Sequence, residues 1–176
     1  TALTEVFEVP WDEPRAAVQG YSPRGMDIDR NGVVWTPLAS GHMASFDRSK
    51  CTGALNGPEA TGRHCPEGWT LYEEPLPQFK GVTDSGSAEG SYYTWVDQFD
   101  TLGLGENVPI NTGNASEGLL ALKDGEWVIM RVPYPLGFYT KWMDGRIDDP
   151  NTGWKGKGLW ATYGTRAPFH TETGKG

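Results

Sequence analysis

PRGMDIDRNGVVWT, residues 23–36, is the stretch that decides the fold, because it matches both a calcium loop and the tip of a β-hairpin. As a calcium loop, it would supply oxygen ligands from Asp27, Asp29 and Asn31. The position where that motif requires a bidentate glutamate is Leu38, and no helical pattern flanks the loop. As a hairpin, the Asn-Gly pair would form a type I′ turn between two strands. The hairpin is the preferred interpretation, with a Ca²⁺ or Mg²⁺ site as the alternative.

The composition is typical of an all-β protein. The 176 residues include 24 glycines and 13 prolines, well above their usual combined share of roughly 12%. They also include 8 Trp, 7 Tyr and 6 Phe. Turn-forming residues together with aromatics favour short strands joined by tight turns. No window repeats apolar residues at helical spacing, so a helical bundle is not expected.

Charge and hydropathy exclude two classes of partner. The net charge is −8, and without a basic stripe such a surface repels nucleic-acid phosphates. Apolar runs are only a few residues long, so no membrane span is expected. The sequence opens at TALTEVFEVP without an initiator Met, which predicts a processed protein or an excised fragment.

The two cysteines, Cys51 and Cys65, flank a loop rich in Gly, Pro, Asn and Thr. A disulfide closing this loop would stabilise the fold by about 3 kcal/mol in the chain-entropy model. The alternative is a pair of free thiols in a cytosolic protein. The disulfide is preferred, and it predicts a periplasmic or secreted location.

An internal repeat is visible once insertions are allowed for. TEVFEVP (4–10), WTLYEEP (69–75) and WVIMRVP (127–133) each alternate side chains and end at proline, as a strand near a sheet edge would. Their spacing exceeds the roughly 40–45 residues of a plain propeller blade. The cysteine loop and DTLGLGENVPINTGNASEG (100–118) are interpreted as the insertions that account for the excess.

Further strands precede these segments in matching order. MDIDRNGVVWTPLA (26–39) and KGKGLWATYGT (155–165) each place a Trp on a strand after a turn, and SYYTWVDQF (91–99) is a looser counterpart. HMASFDRS (42–49) and GLLALKDG (118–125) then read as strands entering charged turns. Four antiparallel strands per unit predict β-propeller blades.

The predicted organisation is about three blade units with long loop insertions. Residues 1–10 form the last strand of one blade, 21–76 a blade with the cysteine loop, 91–134 a blade with a long insertion and 140–176 a partial blade. Propellers have roughly four to eight blades, so we expect the chain to be part of a larger propeller. A propeller completed by other chains and an open array of sheets are the alternatives.

PRGMDIDRNGVVW followed by GHMASFD resembles the repeat of the streptogramin (virginiamycin B) lyase-like β-propellers. The resemblance covers residues 21–50 and, in part, 116–133 and 142–162. It implies a propeller fold. In that family a histidine at the propeller centre acts with a magnesium ion held by acidic groups. His42 and His170 are the histidines near predicted strands, but neither matches the context of that motif, so no catalytic residue is carried over and the two are only weak candidates for a base.

A second acidic segment, MDGRIDDPNTGWKGKG (143–158), contains Asp144, Asp148 and Asp149. Carboxylates this close together repel one another unless a basic side chain or a cation neutralises them. The three residues are therefore candidate metal ligands, with a solvated loop as the alternative.

An aromatic and proline-rich run, RVPYPLGFYTKW (131–142), predicts a binding platform. Tyr134, Phe138, Tyr139 and Trp142 are the candidate ligand-binding residues, for a protein or a small ligand. Packing between neighbouring blades is the alternative.

Nucleophile motifs are not found. There is no G-x-S-x-G sequence, and SGSAEGS (85–91) is expected to be a flexible connection. The leading functional prediction is therefore a secreted or periplasmic propeller module that binds or scaffolds a protein or small ligand. The alternatives are a metal-assisted lyase or hydrolase, and a structural subunit of a larger periplasmic or cell-surface assembly whose partner chains cover the sheet edges.

Overall fold

The computed structural model describes residues 3–132, 138–146, 151, 153 and 156–162. Within them the chain forms ten β-strands and two short 3₁₀ turns, Arg48–Lys50 and Pro66–Gly68, and no α-helix. The strands are β1 (Asp27–Ile28), β2 (Val34–Leu38), β3 (His42–Phe46), β4 (Trp69–Glu73), β5 (Thr94–Asp97), β6 (Val108–Gly113), β7 (Gly118–Lys123), β8 (Glu126–Arg131), β9 (Met143–Arg146) and β10 (Gly158–Ala161).

The strands form three antiparallel sheets. The first has the order β1-β2-β3-β4, the second β5-β6-β7-β8, and the third pairs β9 with β10. Each four-stranded sheet is a meander in which every strand pairs with its neighbours in sequence. The predicted all-β class and the four-stranded antiparallel units are confirmed. No sheet closes on itself in the described residues, and none of their helical segments is long or apolar enough to cross a membrane.

The first strands of the three sheets contact one another. Asp27 on β1 accepts a hydrogen bond from the Val96 N–H on β5 (2.9 Å), and just before these strands Gly25 forms a parallel bridge with Tyr93. β5 in turn contacts β9, where a Cβ at Gly145 would overlap the Trp95 ring. A hydrophobic core fills the space between the second and third sheets. It consists of Trp95, Val108, Ile110, Ala121 and Met143.

Residues 23–36 form a hairpin, which confirms the interpretation preferred from the sequence. β1 and β2 pair antiparallel, and Asp29 closes their connection by accepting hydrogen bonds from the N–H groups of Asn31 (2.8 Å) and Val33 (3.0 Å). The expected type I′ turn is wrong, because only Gly32 has a positive φ, +83°, and its N–H donates to the Asp29 carbonyl (3.0 Å). A turn without positive φ at its central residues, followed by a glycine in the αL conformation, reverses the chain between the two strands as a type I′ turn would.

One strand lies where an insertion was expected. β6 falls within residues 100–118 and occupies the interior of the second sheet, between β5 and β7. Trp95 consequently lies on the first strand of its sheet, whereas Trp35 and Trp160 lie on the second strand of theirs. All six residues of β6 are buried, and Pro109, Asn111 and Gly113 are residue types common in turns, so the sequence did not indicate a strand here.

The strand expected at residues 4–10 is not present. This segment packs on the cysteine loop and on β3 instead: the Glu8 N–H donates to the Gly62 carbonyl (2.8 Å), and the Phe7 ring centroid lies 4.6 Å from that of Phe46 on β3. Scattered backbone hydrogen bonds, aromatic contacts of Phe7 and the Glu5–Arg48 ion pair take the place of a strand ladder. Alternation alone therefore did not identify the partner of this segment.

Cys51 and Cys65 form the predicted disulfide. Cys65 is buried at 3% exposure, and Thr52 donates two hydrogen bonds to Glu67 across the base of the loop (2.9 and 2.8 Å).

Alkylation tests this bridge directly. We expect iodoacetamide to add no group to the native protein and two groups after reduction, measured by intact mass. Because the protein has two cysteines, addition of even one group without reduction would contradict the bridge.

Candidate functional site

His42, one of the two candidate bases, is the first residue of β3 and is fully buried. Both ring nitrogens contact serine hydroxyls: Nδ1 lies 3.0 Å from Ser40 Oγ, and Nε2 lies 3.1 Å from Ser85 Oγ. The Tyr21 N–H also donates to Ser40 Oγ (3.2 Å). In the tautomer that carries its proton on Nδ1, the ring donates a hydrogen bond to Ser40 Oγ. Nε2 is then an acceptor that faces the Ser85 hydroxyl. We call these three residues, Ser40, His42 and Ser85, the serine–histidine chain.

Burial sets the protonation state of His42. It lowers the pKa of the imidazole below its usual value, and the negative charge of Glu73, its partner across β3 and β4, opposes this in part. The ring is therefore neutral at neutral pH. A neutral imidazole can accept a proton from a hydroxyl at 3.1 Å, which is what a general base does.

Two glycines allow the loop carrying Ser85 to approach β3. Gly41 and Gly86 have positive φ values of +78° and +120°. A Cβ on Gly41 would overlap the backbone of Ser87, and a Cβ on Gly86 would overlap the Ser40 carbonyl. Because backbone meets backbone at both positions, no side chain larger than hydrogen fits, and the spacing of the serine–histidine chain depends on these glycines.

A cleft of about 610 Å³ opens beside the serine–histidine chain. Its walls are residues 11–21, the turn at Ser40 and the loop 78–85. Ser40 and Ser85 both line it, so His42 lies directly behind the wall. The volume falls within the roughly 300–1,000 Å³ of typical small-molecule sites. We call this feature the serine cleft.

An exposed aromatic pair forms one wall of the serine cleft. Trp11 and Tyr21 meet edge to face with ring centroids 5.2 Å apart, and they are 61% and 45% exposed. Hydrogen bonds hold their backbone: the Gly20 N–H donates to the Pro10 carbonyl (2.8 Å), and Arg63 donates to the Trp11 carbonyl (2.9 Å). The aromatic wall is thus anchored through its main chain while its rings remain accessible.

The charges of the serine cleft are acidic. Asp12 and Asp84 line it, and no Lys, Arg or His is among its described lining residues. Arg63 contacts the Trp11 and Asp12 carbonyls from outside this lining, and the two carboxylates that line the cleft attract cations and repel anions. A neutral or cationic ligand therefore fits this cleft better than an anionic one.

A second polar cluster joins the first two sheets. Glu74, directly after β4, accepts hydrogen bonds from Ser91 Oγ (2.7 Å) and Asn111 Nδ2 (2.6 Å), and Thr94 donates to Asn111. Burial raises the pKa of Glu74 to about 7, which the hydrogen bonds from Asn111 and Ser91 oppose. In the described part of the chain, Oε2 of Glu74 has no hydrogen-bond partner. This cluster is internal and joins two sheets, so its role is structural.

The residues predicted to hold a metal at the hairpin make internal hydrogen bonds. Asp29 Oδ2 accepts from Trp35 Nε1 (3.1 Å) in addition to the turn contacts of Oδ1, and Asp27 Oδ1 accepts from the Ile28 N–H (2.8 Å). The carboxylates therefore already stabilise the hairpin and its contact with β5.

Of the second acidic segment, Asp144 lies on β9 opposite Trp160. Asp148 and Asp149 lie outside the described residues. The described residues contain no group of three or more His, Cys, Asp or Glu side chains placed to hold a metal. Metal binding at either segment stays a prediction.

The predicted aromatic platform is divided between two environments. The Tyr139 ring packs edge to face on Tyr92 with centroids 5.7 Å apart, whereas Trp142 is 41% exposed. Phe138 is half-buried. Tyr134 lies outside the described residues, as does the other candidate base, His170.

Sequence reasoning missed most of the serine cleft. Ser40, Ser85, Trp11 and Tyr21 belonged to no motif, and residues 85–91 were expected to be a flexible connection. That segment is packed: Gly86, Ser87, Glu89 and Ser91 are all buried. The one feature of the sequence that relates to this packing is Gly86 after Ser85. A glycine permits a close backbone approach, but it is equally common in flexible connections, so the pattern alone did not identify the site.

Comparison of the chain with protein-family models, with curated proteins and with solved structures gave no match.

Proposed function

We propose that this protein is a binding module whose serine cleft takes a neutral or cationic small molecule with a ring-sized apolar face. The observation that carries the proposal is the exposed Trp11–Tyr21 pair, which faces a cleft of small-molecule size whose charged lining is acidic. Binding would cover an apolar surface that otherwise contacts water.

Aromatic walls select ligands by shape and charge. A planar or ring-shaped molecule can lie against the indole of Trp11 and remove apolar area from water. A positive group on the same ligand would be attracted by the Asp12 and Asp84 carboxylates and by the faces of the aromatic rings. A saccharide has the apolar ring face that this wall would cover, and an aromatic amine has both a ring and a positive group.

The setting of this module is part of the same proposal. The three sheets, whose first strands lie side by side, are proposed to be blades of a β-propeller in a secreted or periplasmic protein. The meander order of each four-stranded sheet and the Cys51–Cys65 bridge support it. Kinship with the streptogramin lyase-like propellers, metal-assisted lyase or hydrolase activity, a protein ligand and a role as an assembly subunit stay predictions.

Three probes with one ring and different charges test the cleft. We expect 2-phenylethylamine to bind most tightly, 2-phenylethanol less tightly and phenylacetate least, because charge is the main difference among them. Trp11→Ala should weaken binding of 2-phenylethylamine about tenfold through loss of the aromatic contact. Affinities are measured by ligand-observed NMR titration.

Trp142→Ala is the matched control, because Trp142 is also an exposed tryptophan but does not line the cleft. It should bind 2-phenylethylamine as the wild-type protein does. Equal losses in both variants, or tightest binding of phenylacetate, would contradict the proposal. A loss confined to Trp142→Ala would transfer the site to the aromatic platform predicted from the sequence.

A further inference from the structure

We propose that Ser85 is a nucleophile activated by His42, and that the serine cleft therefore hydrolyses small esters whose apolar part lies against Trp11 and Tyr21. The inference rests on the proposed ligand-binding function of the same cleft and adds a reaction to it.

Geometry places the three required groups. Ser85 is exposed, and its Oγ lies 3.1 Å from the Nε2 of a histidine that is itself fully buried. Nδ1 of the same ring is 3.0 Å from Ser40 Oγ, which takes the place of the group that orients the base. A nucleophile reachable from the cleft is thus bonded to a base that bulk water does not reach.

Two backbone N–H groups next to the nucleophile have no partner among the described residues and are therefore candidate donors to the negative charge that develops during attack. Throughout the described chain, the N–H groups of Ser85 and Gly86 donate no hydrogen bond to another residue. Gly86, with φ of +120°, lets the chain bend directly after the nucleophile. An N–H at or next to a nucleophilic serine is a common donor to the oxyanion of acyl transfer.

The reaction follows from these positions. Ser85 Oγ attacks the ester carbonyl carbon while its proton passes to His42 Nε2, and the ester C–O bond breaks as the alcohol leaves with that proton. Water then attacks the acyl-serine, giving its proton to Nε2. The proton returns to Ser85 as the carboxylic acid is released. The products are one alcohol and one acid for each ester and water consumed.

Among the described residues no carboxylate is hydrogen-bonded to His42 Nδ1, and this distinguishes the serine–histidine chain from a Ser-His-Asp triad. A hydroxyl orients the ring but stabilises the imidazolium less than a carboxylate does. Glu73, across β3 and β4, is the charged group that acts on His42. We therefore expect a slow enzyme that favours activated esters.

A fluorophosphonate probe, which reacts covalently with activated serines, tests the proposal. We expect one phosphonyl group per folded chain, mapped to Ser85 by peptide mass spectrometry, and none on Ser85→Ala. His42→Gln should slow labelling by about 100-fold or more. Ser40→Ala, a smaller change, should slow it less and shift its pH profile, because Ser40 acts by positioning the base. Ser49→Ala, an exposed serine bonded to Asp47, is the control and should be labelled as wild type is.

Three further measurements separate chemistry from folding and from binding. Labelling of the wild-type protein should rise with pH around a midpoint below the ordinary histidine value of 6.5 and should vanish after heat denaturation. p-Nitrophenyl acetate should release a burst of one p-nitrophenol per chain. Wild-type protein that binds 2-phenylethylamine but is not labelled would overturn this inference and leave the proposed function standing. Labelling at Ser85 without binding of any ring probe would overturn the proposed ligand class and support the nucleophile.

Discussion

Replacing Gly41 with alanine is expected to destabilise the protein by about 4 kcal/mol, from positive-φ strain together with steric overlap. Gly41 has a φ of +78°, and a Cβ there would overlap the Ser87 backbone. The residue cannot move away easily. Its N–H donates to the Leu38 carbonyl and its carbonyl accepts from the Glu74 N–H, both at 3.1 Å. Urea unfolding would measure the loss as a lower midpoint at an unchanged slope.

Gly32→Ala is the matched control for this prediction. Gly32 has nearly the same φ, +83°, but a Cβ there meets no atom within 4 Å. Its cost should therefore be the backbone strain alone, about 1 kcal/mol. Equal losses in the two variants would show that the close approach to Ser87 contributes nothing. Gly41→Ala should also slow fluorophosphonate labelling, because displacing the loop 85–87 breaks the Ser85–His42 contact.

Glu74→Gln is expected to abolish most of a pH dependence of stability that the wild-type protein shows between about pH 4.5 and pH 7. Burial raises the pKa of Glu74 to about 7 from an ordinary value of 4.5. The folded state then holds a proton that the unfolded state releases, so the contribution is complete below pH 4.5 and is lost as the pH rises through 7. The loss amounts to about 3 kcal/mol.

Glutamine at position 74 can keep the hydrogen bonds of Glu74, so the variant differs from the wild-type protein mainly in its lack of a titrating group. Its amide oxygen can accept the hydrogen bonds that Ser91 and Asn111 donate to Glu74, and it does not titrate. The unfolding free energy of the variant relative to wild type should therefore rise by about 3 kcal/mol between pH 4.5 and pH 8. Urea titrations at several pH values would measure it.

Glu13→Gln is the control, because the Glu13 carboxylate changes the pH dependence of stability with the opposite sign and in a lower pH range. The hydrogen bond from Arg15 (2.8 Å) lowers the pKa of Glu13 to about 2. Its contribution is present above pH 4.5 and is lost as the pH falls through about 2. A Glu74→Gln variant with the same pH profile as wild type would show that Glu74 ionises freely in the folded protein.

Local sequence was sufficient for most strands and for the disulfide. Alternation and turn residues located β2, β3, β4, β7 and β8 and indicated strands at β5 and β10. The hairpin at residues 23–36 was identified correctly although its turn type was not. These features depend on residues close together in the sequence, where strand propensity and turn chemistry act. β6 was missed because its Pro109, Asn111 and Gly113 are residue types common in turns and uncommon in strands. Residues 4–10 were misassigned because a strand pattern does not say whether a partner strand is near.

The sequence by itself determined an acidic, all-β chain of four-stranded antiparallel units with a bridged loop, because propensity, turn chemistry and cysteine count are local properties. Only the tertiary structure decided the site. Ser40 and His42 meet Ser85 because Gly41 and Gly86 let two backbones touch, and Glu74 acquires its raised pKa because two sheets bury it. Close approach and desolvation depend on residues far apart in the chain, and local sequence patterns do not record them.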